Sequence, residues 1–88
     1  MTYQYRTDGQ VCSQAIRIEI RDDGRIGAVE FAGGCPGNLQ GIGKLVSGMK
    51  PEEVIERLSG IRCGGKPTSC PDQLARALQA ILRKREGK

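Results

Sequence analysis

The sequence predicts an α+β domain: an antiparallel sheet of about three strands, followed by three helices packed on one of its faces. Two observations carry this expectation. Residues 15–32 hold two stretches of alternating apolar and polar side chains on either side of Asp22-Asp23-Gly24-Arg25, which is the period of half-buried strands joined by a tight turn. Downstream, three segments open with Pro36, Pro51 and Pro71 and carry apolar residues at helical spacing. Proline suits the first helical position because its missing N–H would have no intrahelical partner there.

Residues 1–8 alternate Tyr3 and Tyr5 with polar neighbours, the pattern of a short edge strand. In residues 15–21, Ile16, Ile18 and Ile20 fall on one face and Arg17, Glu19 and Arg21 on the other. The return strand, residues 26–32, turns Val29 and Phe31 inward. Asp-Gly between alternating runs is a hairpin signal, because both residues tolerate positive φ. A two-residue turn at Asp23-Gly24 sets Ile16 against Phe31 and Ile18 against Val29. Continued along the ladder, it sets Cys12 against Cys35 on the isoleucine face. The Gly33-Gly34 pair predicts a bulge just before Cys35.

The first helix starts at Cys35-Pro36 and has its apolar stripe at Leu39, Ile42, Leu45, Val46 and Met49. Gly37, Gly41 and Gly43 interrupt it at about 1 kcal/mol each against Ala, which points to close backbone approach. They match neither a P-loop nor a dinucleotide fingerprint, so a nucleotide ligand has no motif behind it. A short second helix opens at Lys50-Pro51-Glu52-Glu53, buries Val54, Ile55 and Leu58, and stops at Gly60. Glu52 and Glu53 read as residues of a helix first turn. The longest helix runs from Pro71 to about Lys84, with Leu74, Ala75, Ala77, Leu78, Ile81 and Leu82 buried and with Cys70 as its N-cap. Asp72 and Gln73 serve that N-terminus; an oxygen-ligand or base role for Asp72 is the minor reading.

One domain spanning residues 1–88 is expected, burying roughly 60 to 65% of the surface its unfolded chain exposes. With one Phe, two Tyr and no Trp, the core must be aliphatic. No segment reaches transmembrane length, and the polar N-terminal residues do not resemble a signal peptide, so the expected compartment is the cytoplasm. The net charge is +4, much of it in Arg83, Lys84, Arg85 and Lys88, where cations relieve a helix C-terminus. With so few aromatic residues to stack on bases, nucleic-acid binding is not expected.

Four cysteines in a reducing compartment are read first as metal-binding or catalytic. Cys12, Cys35, Cys63 and Cys70 are separated by 22, 27 and 6 residues, which is not a zinc-ribbon spacing. Their position supports a site: each falls at a junction between elements, in Cys-Ser, Gly-Gly-Cys-Pro, Cys-Gly-Gly and Ser-Cys-Pro contexts. Four soft thiolates select zinc, the first choice, or an iron–sulfur cluster, the second. Arg62 and Lys66 beside Cys63, with two helix N-termini, are placed to offset the charge of such a site. A dithiol relay through Cys63 and Cys70 is the redox alternative. The chain has no His, which excludes Ser-His and Cys-His nucleophilic schemes, and no catalytic residue is assigned.

Thr68-Ser69-Cys70-Pro71-Asp72 and Gly33-Gly34-Cys35-Pro36-Gly37-Asn38 resemble the two signatures of the TSCPD family, and the resemblance runs from about Tyr3 to Ile81. That family includes small free-standing proteins and a segment at the C-terminal end of adenosylcobalamin-dependent ribonucleotide reductases. The resemblance implies metal-binding cysteines and, as a partner, a large ribonucleotide reductase subunit or another protein. A chain this short cannot hold a radical-generating barrel, so catalysis would need that partner. More distantly, Cys12 before a strand, the Asp-Gly hairpin, Gly34-Cys35 before a glycine-containing helix and Cys70 opening the last helix are similar to IscU/NifU-type iron–sulfur scaffolds, which implies an IscU/NifU-like fold. Gln14 and Ser69 stand where that family has its aspartate and histidine ligands, and Cys63 is added. The all-cysteine set implies a closed site.

Overall fold

The computed structural model describes residues 2–7, 13–33, 36–62, 64–65 and 68–87. Strands β1 (Thr2–Arg6), β2 (Ser13–Ile20) and β3 (Ile26–Gly33) form an antiparallel sheet in the order β1-β2-β3. Helices α1 (Pro36–Val46), α2 (Pro51–Leu58) and α3 (Cys70–Gly87) follow. This is the α+β architecture that the alternating and helical periods predict. Helix α1 rests on β3, α3 lies against β2, and α2 packs on α3.

The central strand fixes the core. Ile16, Ile18 and Ile20 of β2 point to the helical side together with Ile26 and Val29 of β3, and all are buried. From the helices, Val46, Val54, Leu74, Ala77, Leu78 and Ile81 join them. Tyr3 and Tyr5 sit opposite Ile18 and Ile16 and are partly buried against this cluster, as expected for an edge strand. The opposite face keeps Arg17 and Glu30 exposed, paired across the strands at 3.4 Å.

In mid-strand the register is the predicted one, with Ile16 opposite Phe31 and Ile18 opposite Val29. The turn differs. Arg21 N–H donates to Arg25 C=O at 2.8 Å and Gly24 N–H to Arg21 C=O at 2.9 Å, so the turn contains three residues, Asp22, Asp23 and Gly24. Gly24 has φ +85, as a three-residue hairpin loop needs at its last position. The ladder therefore starts with Ile20 opposite Ile26, one position off the two-residue register. An extra residue in β3, where Gly27 and Ala28 face the single Glu19, restores it. Gly27 permits that crowding, since a Cβ there would lie 2.6 Å from Glu19 Oε1.

A second bulge occurs at the open end, on the strand facing the one in which the Gly33-Gly34 pair predicts it. Its extra residue is Gln14 on β2, and Ser13 pairs with Gly33. The pairing of Cys12 with Cys35 lies outside the described residues.

Of the three glycines of α1, only Gly43 makes the close approach anticipated for all. A Cβ on it would sit 2.6 Å from the Val29 carbonyl oxygen, whereas Gly37 and Gly41 face open space. Leu45, read as part of the buried stripe, is 77% exposed. Leu39 and Val46 of the same stripe are buried and Ile42 is half-buried, so the buried face of α1 is narrower than its apolar spacing suggests. Beyond α1 the chain folds back on β3: Gly48 N–H donates to Ile26 C=O at 2.7 Å and Ile26 N–H to Met49 C=O at 2.9 Å.

Helix α2 starts as expected, with Pro51 first and Glu53 Oε1 accepting the Lys50 N–H at 3.1 Å. It stops at Ser59, and Gly60 leaves it with φ +83. No described helix is long and apolar enough to cross a membrane.

These contrasts separate two glycine substitutions in one helix. Gly43→Ala should destabilise the protein by about 1 to 3 kcal/mol through overpacking against Val29. Gly41→Ala should be neutral or stabilise it by up to about 1 kcal/mol through helix propensity. Urea unfolding of both variants beside the parent checks the sign of each.

Candidate functional site

The signature Thr68-Ser69-Cys70-Pro71-Asp72 forms the entrance to α3. Gln73 N–H donates to Ser69 C=O at 2.8 Å, and Asp72 N–H donates to Ser69 Oγ at 3.2 Å. Ser69 is therefore the N-cap, and Cys70 occupies the first helical position, with Pro71 second. This corrects the assignment of Cys70 as the cap. The reason lies in the chemistry of the two side chains: a hydroxyl oxygen is a much better acceptor for a helix-start N–H than a sulfur. Ser69-x-x-Asp72 is the sequence signal that could have revealed it.

Around that cap, four side chains are almost inaccessible: Thr68 at 1%, Ser69 at 4%, Asp72 at 4% and Gln73 at 0%. They form one hydrogen-bonded chain. Gln73 Nε2 donates to Thr68 Oγ1 at 3.0 Å, and the Thr68 hydroxyl donates to Asp72 Oδ2. Asp72 Oδ1 accepts the Gly60 N–H at 2.7 Å, and Oδ2 is met by Arg76 Nε at 3.0 Å. The Ser69 hydroxyl donates to the Ile61 carbonyl at 2.7 Å. Gly60 and Ile61 leave α2, and Thr68 and Ser69 enter α3, so the network ties the two ends of the intervening loop together. No buried side-chain nitrogen or oxygen among the described residues lacks a partner.

Asp72 carries the charge in this network. Burial alone would raise its pKa, but the hydrogen bonds from Thr68 and Gly60 and the Arg76 guanidinium together outweigh that and hold it below the ordinary value of 3.8. A carboxylate held by three donors in this way is committed to structure, not to acid/base work.

Of the four candidate ligands, Cys70 is described. It is half-buried in the first turn of α3. Cys12, Cys35 and Cys63 lie outside the described residues, as does Lys66. Their described neighbours are Ser13, which pairs with Gly33, Pro36, which opens α1, and Arg62 and Gly64, both exposed. Among the described residues, which include one of the four cysteines, there is no group of three or more His, Cys, Asp or Glu that could hold a metal ion. Glu52 and Glu53 are residues of the first turn of α2, as the sequence implied.

The TSCPD domain model matches residues 1–82, and the chain belongs to the TSCPD family. No curated protein and no solved structure matches it.

Asp72→Asn keeps the shape of the side chain but turns an amide N–H toward donors. It should lower stability at neutral pH by about 1.5 to 3 kcal/mol, the range for hydrogen bonds to a charged group. Because folding lowers the pKa of Asp72, its contribution is complete above the unfolded value and is lost as pH falls through the lower native value. The gap between parent and Asp72→Asn should therefore be constant above about pH 5 and narrow below pH 3.8. Denaturant titrations between pH 2 and 7 measure it.

Proposed function

We propose that the chain is a small metal-binding accessory module, with Cys12, Cys35, Cys63 and Cys70 as its ligands. Zinc is the first choice and an iron–sulfur cluster the second. The observation that carries the reading is the all-thiolate donor set of a TSCPD-family chain without histidine. Soft ligands of this kind suit tetrahedral zinc or iron–sulfur clusters. Two further features support it. Cys70 stands at a helix start, where negative charge is favoured, between the hydrogen-bonded Ser69 and Asp72 of the buried network. The Ser13–Gly33 pair joins the strand ends nearest Cys12 and Cys35. Bound zinc would supply a covalent crosslink between these junctions, and its binding free energy would add directly to folding.

The module acts in this reading as a cytoplasmic protein that is not catalytic by itself. Family membership carries a second reading, a component associated with a large ribonucleotide reductase subunit, in which Cys63 and Cys70 relay thiol redox equivalents.

Elemental analysis of protein purified without added metal, combined with thiol titration and an absorption spectrum, tests the first reading. We expect about one zinc, or a coloured iron–sulfur chromophore, per chain and few reactive thiols. Cys70→Ala and Cys12→Ala should each cause substantial metal loss. Four freely reactive thiols with neither Zn nor Fe bound would refute the metal reading. Full stoichiometry after Cys12→Ala would remove that residue from the ligand set. Unchanged turnover of a large reductase subunit on adding the protein would refute the second reading.

A further inference from the structure

Helices α1 and α2 follow one another in the chain but rest on different supports, α1 on β3 and α2 on α3. Between them lies an open apolar groove of about 270 Å³. Ile42, Leu45 and Val46 form one wall, and Val54, Arg57 and Leu58 the other. Leu45 is both wall and protrusion, being 77% exposed. In a two-fold interface the same patch must serve both partners, so it needs a knob and a hollow side by side. This patch has both.

The charges on α2 are also complementary to themselves. Glu53 and Arg57 lie one turn apart on the same helix, yet neither has an ion-pair partner among the described residues. Glu53 Oε1 is used by the Lys50 N–H, which leaves its second oxygen available. When α2 lies antiparallel to α2 of a second copy, each Arg57 comes to face the other copy's Glu53, and the helix dipoles oppose. We propose that this groove is the interface of a homodimer, in which Leu45 of each copy seats in the groove of the other and Glu53–Arg57 pairs close its rim.

Sedimentation equilibrium of the full chain tests the proposal and is independent of any metal reading. The parent should dimerise at micromolar concentration. Leu45→Glu places a charge on a side chain that is already solvent-exposed, so the circular dichroism spectrum and the unfolding midpoint at low concentration should stay unchanged. Dimerisation should weaken by at least about tenfold. Arg57→Glu should act in the same direction, and adding Glu53→Arg to it should restore association. A chain that is monomeric at hundreds of micromolar overturns the proposal. So does a dimer that neither Leu45→Glu nor Arg57→Glu weakens, since such a dimer uses another face or another occupant fills the groove.

Discussion

The Asp72 carboxylate is a buried charge, and taking such a group out of water costs several kcal/mol unless donors replace the lost solvent. Here the donors come from three places: the Gly60 N–H where α2 ends, the Thr68 hydroxyl where the loop returns, and the Arg76 guanidinium one turn along α3. None of these segments can move alone without stranding the charge. The angle between α2 and α3, the base of the loop between them and the start of α3 at Cys70 therefore form one mechanical unit. The aliphatic core beneath supplies most of the burial, but it is non-directional. The carboxylate supplies direction.

In the sheet, the mid-strand register was legible because burial on one face specifies it: a slip by one residue would have turned Ile16, Ile18 and Ile20 to solvent. The turn was not legible from Asp-Gly alone. Two-residue and three-residue loops both accept a glycine at the end, and Asp22 joins the turn because Arg21 pairs with Arg25. The compensating bulge at Gly27-Ala28 follows from the same choice, since a one-residue offset at the turn must be cancelled before Val29 can face the core. In α1, apolar spacing described the helix but not the width of its buried face, and Leu45 falls outside it.

At the signature, the sequence drew attention to the cysteine, while the buried chemistry belongs to its neighbours. Asp72 and Gln73 read as ordinary helix-start residues and Thr68 and Ser69 as the end of a connection, whereas Ser69 and Asp72 are the pair that serves the helix start. The reach of Asp72 to Gly60, twelve residues earlier, could not be read from spacing, because it depends on how α2 is packed on α3. The Cys-Pro pair misled for a simple reason. Proline is accepted throughout the first turn of a helix, so it marks the neighbourhood of the cap without fixing which residue is the cap. The proposed metal site rests on the all-thiolate donor set of a family chain without histidine.

Clasping both ends of the segment between Ile61 and Thr68 also has a consequence for how this fold can change. Lengthening a loop whose anchors are already fixed adds closure entropy only logarithmically, about 0.6 kcal/mol for each doubling. The Gly60–Asp72 and Ile61–Ser69 bonds hold the two anchors together whatever the length of chain between them. Extra residues beside the exposed Gly64 and Gly65 would thus cost little in loop closure and be felt first at Cys63, through the metal site proposed for it.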